Sequence, residues 1–337
     1  MKAARGKDLC AVPAVQTPPF VADDGGTCAR KMPMADEEKR WLAIVNPAAG
    51  GGKCAERIGD AVDELRWRGL AVTTRFTTKP GEATSLAAEG IAEGYTRIMA
   101  VGGDGTVNEV VNGIAKTRAD GTITLATLPL GTSNSFLRDF NQQKLPDAIA
   151  RITAGTAPPC DLVRCRILVD GIPTERWFIN NVIVGFGANV GDTMNRRLKF
   201  MGKHGYSVGV FIEVARLKTP VMKITVDGVS QSGPVTMVNI GNSQFTGGVM
   251  HISPGALVDD GLFDVVTIGK LSRTGLLLAF PRIFNGTILS HPRITHAKGK
   301  KLTLETDGSL PVLFDGDIAG TTPLEAELVP GAILVIR

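Results

Sequence analysis

Three apolar runs in the first half of the chain each end in a glycine-bearing turn. Trp41-Leu42-Ala43-Ile44-Val45 leads into Asn46-Pro47-Ala48-Ala49-Gly50-Gly51-Gly52-Lys53. Ile98-Met99-Ala100-Val101 leads into Gly102-Gly103-Asp104-Gly105-Thr106-Val107-Asn108-Glu109. Ile123-Thr124-Leu125-Ala126-Thr127-Leu128 leads into Pro129-Leu130-Gly131-Thr132-Ser133-Asn134-Ser135. Such runs read as strands of a buried parallel sheet. The three turns then gather at its carboxyl edge, where open α/β sheets bind ligands. Glycines there let main-chain amides approach a phosphate without a Cβ in the way, and a following helix directs its N-terminus at the anion. The arrangement predicts a polyphosphate site.

Strands and helical patterns alternate up to Pro158: strands at 41–45, 70–76, 97–101 and 123–128, and helices near 54–68, 81–93, 106–116 and 146–154. This is the pattern of a doubly wound sheet. After Pro158-Pro159 the texture changes to short alternating segments with turn signals at Asp227-Gly228, Asp260-Gly261 and Asp307-Gly308. Those segments read as an antiparallel β-sandwich, interrupted by helical stretches near 192–217 and 272–285. Residues 1–38, rich in Pro, Gly and Ala and without hydrophobic period, read as a disordered extension. Met32 or Met34, just before the first strand, is a candidate biological start. The expected organisation is therefore an extension at 1–38, an α/β domain at 39–158 and a β-rich domain at 159–337.

The chain has 337 residues, enough for two domains each with its own core. With 43% hydrophobic and 21% charged residues it matches neither a disordered nor an integral membrane protein. A net charge of +4 suits an anionic surface or substrate but is too weak to indicate nucleic acid, and 5% aromatics leaves little for stacking bases. Cys10, Cys28, Cys54, Cys160 and Cys165 form no Cys-x-x-Cys pattern and read as free thiols of a reducing cytoplasm. The four histidines show no ligand spacing either, so no transition-metal site is expected. Leu276-Leu277-Leu278-Ala279-Phe280, the most apolar stretch, is stopped by Pro281, and the first residues offer no secretory signal.

Asp104 is the most telling residue, because a carboxylate in a phosphate-approaching loop has no obvious structural need. Its natural work is Mg²⁺, which prefers oxygen ligands and sits against nucleotide phosphates. The competing reading makes Asp104 only the cap of the following helix. The first loop is not a Walker A sequence, since Pro47 stands where the leading glycine would be and Cys54 replaces Ser or Thr. No G-x-G-x-x-G occurs in this half and no G-x-S-x-G anywhere; Gly185-Phe186-Gly187 lacks a βαβ context.

These segments, in this order, resemble the lipid kinase family with a diacylglycerol-kinase catalytic domain, which includes bacterial diacylglycerol kinase-like enzymes, sphingosine kinases and ceramide kinases. The resemblance spans roughly residues 41–320 and includes Phe178-Ile179-Asn180, Gly185-Phe186-Gly187-Ala188, Asn239, Gly247-Gly248, Pro254-Gly255-Ala256, Asp259-Asp260-Gly261-Leu262 and Asp315-Gly316-Asp317. It implies transfer of the γ-phosphate of ATP, with Mg²⁺, to a lipid alcohol in a cleft between the two domains. Asn46, Thr77 (with Thr78 as the adjacent alternative), Gly102, Gly103, Asp104, Gly105, Thr106, Val107, Asn108 and Thr132 would contact ATP. Asp260 with Leu257 and Leu262 would hold a Mg²⁺ ion, against the alternative of a hairpin turn. Asp317 would be the general base, with Asp315 sharing that work.

Two departures stand out. Asp317 replaces the family's Glu, one methylene longer, and Ser135 replaces an Asp common in diacylglycerol kinases. The second changes which polar headgroup the acceptor pocket can recognise. Diacylglycerol, ceramide and a sphingoid base are all left open as acceptors, as is assembly into a homodimer. Other functions consistent with the residues are an NAD kinase, which shares the Gly-Gly-Asp-Gly-Thr loop, and a nucleotide- or lipid-binding regulator without catalysis. Two stretches suit peripheral contact with a membrane: 194–204, with Arg196, Arg197, Lys199 and Lys203 among Leu198, Phe200 and Met201, and 273–284, with Leu276, Leu277, Phe280 and Phe284 among Arg273 and Arg282, where a buried helix covering the sandwich is the favoured reading.

Overall fold

The expected alternation is present from the first strand onward. The computed structural model describes residues 40–194 and 203–337. The expected extension at 1–38 and the basic residues Arg196, Arg197 and Lys199 lie outside the described residues. In chain order the first layer contains β1 (Trp41–Val45), α1 (Lys53–Trp67), β2 (Val72–Phe76), α2 (Glu82–Ala92), β3 (Arg97–Gly102), α3 (Asp104–Thr117), β4 (Thr124–Pro129), α4 (Ser135–Arg138) and α5 (Leu145–Ala154). The four strands pair in parallel in the order β4-β3-β1-β2.

Burial on both faces explains the uninterrupted apolar runs. Leu42 and Ile44 of β1 pack with α2 and α3, while Trp41, Ala43 and Val45 pack on the other face with α1 and α5. β3 repeats the alternation with Ile98 and Ala100 on the first face and Met99 and Val101 on the second. A strand with period two can show no polar side when both its sides are cores.

The second layer contains β5 (Pro159–Val169), β6 (Ile172–Phe178), β7 (Asn181–Gly185), α6 (Phe186–Thr193), α7 (Lys203–Ala215), β8 (Val221–Val226), β9 (Val229–Gly241), β10 (Phe245–Thr246), β11 (Met250–His251), β12 (Phe263–Gly269), α8 (Arg273–Ala279), β13 (Ile294–Gly299), β14 (Lys301–Thr306), β15 (Pro311–Phe314) and β16 (Asp317–Val335). Their pairing is antiparallel, as the turn signals predict. The pairs β9-β7, β7-β15, β15-β16, β16-β14, β14-β8 and β8-β9 close a circuit around one core that includes Val182, Val184, Ile240, Phe263, Leu304 and Phe314. Closure leaves these strands without an open edge. On the outer face Ile183 and Val266 turn towards α6, α7 and α8, which form a second core there.

The last strand crosses the expected domain boundary. β16 leaves the sandwich and its end pairs in parallel with β4, Leu334 beside Thr124 and Val335 beside Leu125. Residues from the end of the chain thus complete the first layer's sheet.

Candidate active site

The three glycine turns meet at the carboxyl edge of the parallel sheet, and they meet as backbone. Gly50, Gly51 and Gly52 all have positive φ, which carries the chain from β1 into α1, and a Cβ on Gly50 would lie 2.7 Å from the carbonyl oxygen of Leu130. A Cβ on Gly131 would lie 2.2 Å from Cα of Gly103. Only glycine permits that approach. Asn46, at the end of β1, ties the first turn to the second by donating from Nδ2 to the hydroxyl of Thr106 at 3.2 Å, while its Oδ1 accepts from the Ala48 amide at 3.1 Å.

Asp104 stands in the first turn of α3 and reaches across to the third turn. Its Oδ1 accepts from the Ser135 amide at 2.7 Å and its Oδ2 from the Ser135 hydroxyl at 2.9 Å. Burial pushes the Asp104 carboxyl above the ordinary Asp range, and the Ser135 bonds partly offset this. Asp104 is therefore a half-buried bridge between turns rather than a cap of its own helix. Ser135 does begin the short α4, but its hydroxyl also accepts from the Gly248 amide at 2.7 Å. Buried Ser135 thus joins both phosphate-approaching turns to the Gly247-Gly248 turn of the second layer.

The Asp315-Gly316-Asp317 turn places two carboxylates differently. Asp315 is buried, with Oδ1 accepting from the Asn181 amide at 2.8 Å and Oδ2 from Nδ2 of Asn108 at 2.7 Å. Burial, followed by the charges of Asp104 and Asp317, raises its pKa to about 7. Asp317 is exposed, and a Cβ on Gly105 would stand 3.0 Å from its Oδ2. The structure thus brings Asp104, Asp315 and Asp317 to one corner with Gly105 and Asn108.

The other expected site residues divide. Thr77 follows β2 with its amide bonded to the Val45 carbonyl, and its hydroxyl makes no hydrogen bond among the described residues. Thr78 uses its amide and hydroxyl on Glu82 at the start of α2, which favours Thr77 as the open one of the pair. Val107 offers no ligand group: its side chain is in the first-layer core and its amide donates to the Gly103 carbonyl. Asp260 bonds Lys298 at 2.9 Å and accepts from the Leu262 amide at 3.0 Å, a local turn that closes no hairpin, since β12 pairs with β9 and β13. The Lys298 ammonium thus stands as the cation beside the Asp260 carboxylate. Among the described residues no group of three or more His, Cys, Asp or Glu side chains is placed to hold a metal ion, and the Asp104 and Asp317 carboxylates instead act on Asp315 by raising its pKa.

A cavity of about 790 Å³ opens beside this corner. Thr132, Ser133 and Gly316 line its near end, and Phe186, Leu276, Phe280 and Ile283 its apolar interior. Among the described residues Arg138 is the one charged side chain in the lining, and it has no carboxylate partner there; it donates to the Gly248 carbonyl at 3.0 Å and stacks over the Phe245 ring. A volume between about 300 and 1,000 Å³ with few polar groups is typical of small-molecule sites.

Residues 40–165 match the model of the diacylglycerol kinase catalytic domain, and residues 180–337 that of the YegS C-terminal NAD kinase beta sandwich-like domain. A diacylglycerol kinase of Mycobacterium tuberculosis is 32% identical over 298 residues, covering 88% of this chain and 94% of that protein. The chain belongs to the diacylglycerol kinase family. A probable lipid kinase YegS-like protein of Stenotrophomonas maltophilia is 29% identical over 87% of this chain and 94% of its own length. The crystal structure of a diacylglycerol kinase from Bacillus anthracis superposes with a TM-score of 0.68 at 26% identity, covering 89% of this chain and 97% of that one. This chain is accordingly a lipid kinase with a catalytic α/β layer and a β-sandwich.

Several groups that organise the kinase site are not among the expected site residues. Glu109 accepts from the Gly81 and Ala83 amides and so holds α2 against α3. Asn112 bonds the Trp177 amide and carbonyl, anchoring β6 beside Asn108. Asp139 accepts from the Gln244 amide at 3.0 Å, but its Oδ1 is buried without a partner, and burial raises its pKa to about 7. A carboxyl raised in the folded state favours folding fully below its unfolded pKa, near 4, and loses that contribution as pH rises through about 7. Asp139→Asn is therefore expected to raise the thermal midpoint at pH 8 and to leave it little changed at pH 4.5, read by thermal unfolding at both pH values. An equal shift at both pH values would show that the charge is not the cause.

Proposed function

We propose that this lipid kinase transfers the γ-phosphoryl group of ATP to the hydroxyl of a glycerolipid, with diacylglycerol as the leading acceptor. The observation that carries the reading is the placement of exposed Asp317 against Gly105, beside the end of an apolar cavity lined by Thr132, Ser133 and Gly316. Phosphate-approaching amides thus stand on one side of a carboxylate and room for an acyl chain on the other. ATP would lie along Asn46, Thr77, the Gly102–Asn108 turn and Thr132. Asp104 would hold Mg²⁺, which when bound neutralises phosphate charge.

The protein's own groups account for the rest. Asp317 accepts the proton of the lipid hydroxyl as that oxygen bonds to the γ-phosphorus, and the bond to the bridging oxygen breaks to release ADP. Asp315, both of whose oxygens are engaged, positions the turn instead of accepting that proton. Arg138 disfavours a cationic sphingoid base and suits the ester carbonyls of a glycerolipid, because an unneutralised guanidinium in an apolar lining repels a second cation.

The test is radiolabelled ATP with Mg²⁺ and diacylglycerol, ceramide or a sphingoid base in mixed micelles, with NAD as control. Label is expected in diacylglycerol and absent from the sphingoid base. Label in NAD alone would overturn the lipid acceptor, and label in the sphingoid base at an equal rate would overturn the role of Arg138. No transfer to any acceptor would leave the binding-regulator reading.

A further inference from the structure

Among the described residues, the cavity that would receive the acyl chain reaches solvent past apolar side chains. Val249 and Phe284 line it and are also 50% and 46% exposed, so they form an apolar rim where it meets solvent. Next to this rim, α8 is apolar on two sides. Leu276 and Ala279 face inward, with Leu276 lining the cavity, while Leu277 and Leu278 are 39% and 79% exposed. The helix thus covers the outer core and presents a second apolar face outward. Phe280 and Phe284, in edge contact with each other, continue the apolar surface from the interior to the rim.

Charge along this segment of the sequence is one-sided. From Val265 to Leu304 the chain contains seven Lys or Arg and no Asp or Glu. Lys298 and Lys301 are used in ion pairs with acids from other segments. Lys270, Arg273, Arg282 and Arg293 have no carboxylate partner among the described residues, and Lys270 and Arg273 are exposed. Exposed leucines and phenylalanines beside unpaired cations match the two requirements of an anionic bilayer, an apolar layer beneath a negative surface. A protein partner of ordinary composition would leave either the cations or the apolar rim unused.

We propose that α8 and the turn that follows it dock this kinase on an anionic phospholipid bilayer, with the cavity mouth opening into the membrane. This deepens the lipid-kinase reading and rests on it for the cavity's use. A chain passing from bilayer to cavity then crosses Val249 and Phe284 without exposing its methylenes to water. Of the two stretches suited to membrane contact by sequence, the proposal chooses 273–284, which serves both as cover for the sandwich and as docking face.

The experiment sediments the full chain with vesicles of phosphatidylcholine alone or mixed with phosphatidylglycerol, at low and high salt. Leu278→Glu and Arg273→Glu are compared with wild type. Neither residue lines the cavity, so both variants are expected to unfold near the wild-type midpoint and to phosphorylate a dispersed short-chain diacylglycerol at the wild-type rate. Wild type is expected to bind the anionic vesicles in a salt-sensitive manner, and each variant to bind them at least about tenfold more weakly. Unchanged binding by both variants would overturn the proposal, as would equal binding of wild type to neutral vesicles. Loss of self-association in Leu278→Glu, with vesicle binding intact, would instead assign the face to a second copy of the chain. If the variants lose vesicle binding while wild type phosphorylates no lipid, docking stands and the kinase reading fails. If short-chain lipid is phosphorylated and no vesicle is bound, the reverse holds.

Discussion

Asp317→Asn is expected to lose about 10²–10⁴ of kcat with lipid, the usual range for removing a general base, while ATP affinity measured by calorimetry with Mg²⁺ changes little. The split follows from position. Asp317 is exposed beside the cavity end, whereas the turns expected to hold the phosphates are built from Gly102–Asn108 and Gly131-Thr132. Asp317→Glu restores the family's usual residue and is expected to keep appreciable activity, because the exposed side chain has room for one methylene. Asp315→Asn should behave differently. An amide offers one acceptor where the carboxylate uses two, so it must give up the bond to the Asn181 amide or to Asn108. Its loss is expected in thermal stability and in activity together. An active Asp317→Asn beside a stable but inactive Asp315→Asn would move the base to Asp315, and two active variants would remove catalysis from this turn.

The layers were legible because their signals are local. Strand runs 41–45, 97–101 and 123–128 lack polar alternation for a reason now visible, a core on each face, and the observed strands agree within one residue at each end. Glycine turns after those runs located the candidate site for the same reason, since a strand end and a glycine are adjacent in sequence. Pairings between distant segments were not legible. Nothing near Asp260 announces Lys298, and nothing near Leu334 announces β4. Ser135 was visible as a departure from the family, yet its work depends on Asp104 and Gly248, far from it in the chain. Val107 entered the expected site only by lying within the Gly102–Asn108 motif. On α3 it points to the core side, as its helical spacing with Val110, Val111 and Ile114 indicates.

Gly131→Ala is expected to abolish the nucleotide site without touching any side chain that would contact ATP. Its Cβ would fall 2.2 Å from Cα of Gly103, 2.5 Å from the Gly103 nitrogen and 3.0 Å from the Gly102 carbonyl carbon, all of them backbone. Rotamer changes cannot relieve such contacts. Little slack exists in the strands either, because β3 and β4 are paired as far as Gly102 beside Pro129, immediately before the two turns. The turns must separate, which carries Asp104 away from Ser135 and breaks the bridge that joins both turns to Gly248. Overpacking of this kind typically costs about 1–3 kcal/mol, and a misplacement near 1 Å in a reacting site costs about 10² in rate. Activity should therefore fall at least about a hundredfold, and ATP binding by calorimetry should weaken, while the thermal midpoint drops by only a few degrees. Gly59→Ala supplies the contrast. It lies inside α1 with no atom within 4 Å of its would-be Cβ, so alanine there should add roughly 0.5–1 kcal/mol of stability and leave activity unchanged. If Gly131→Ala retained wild-type activity and ATP affinity, the close approach of the two turns would not be what forms the nucleotide site.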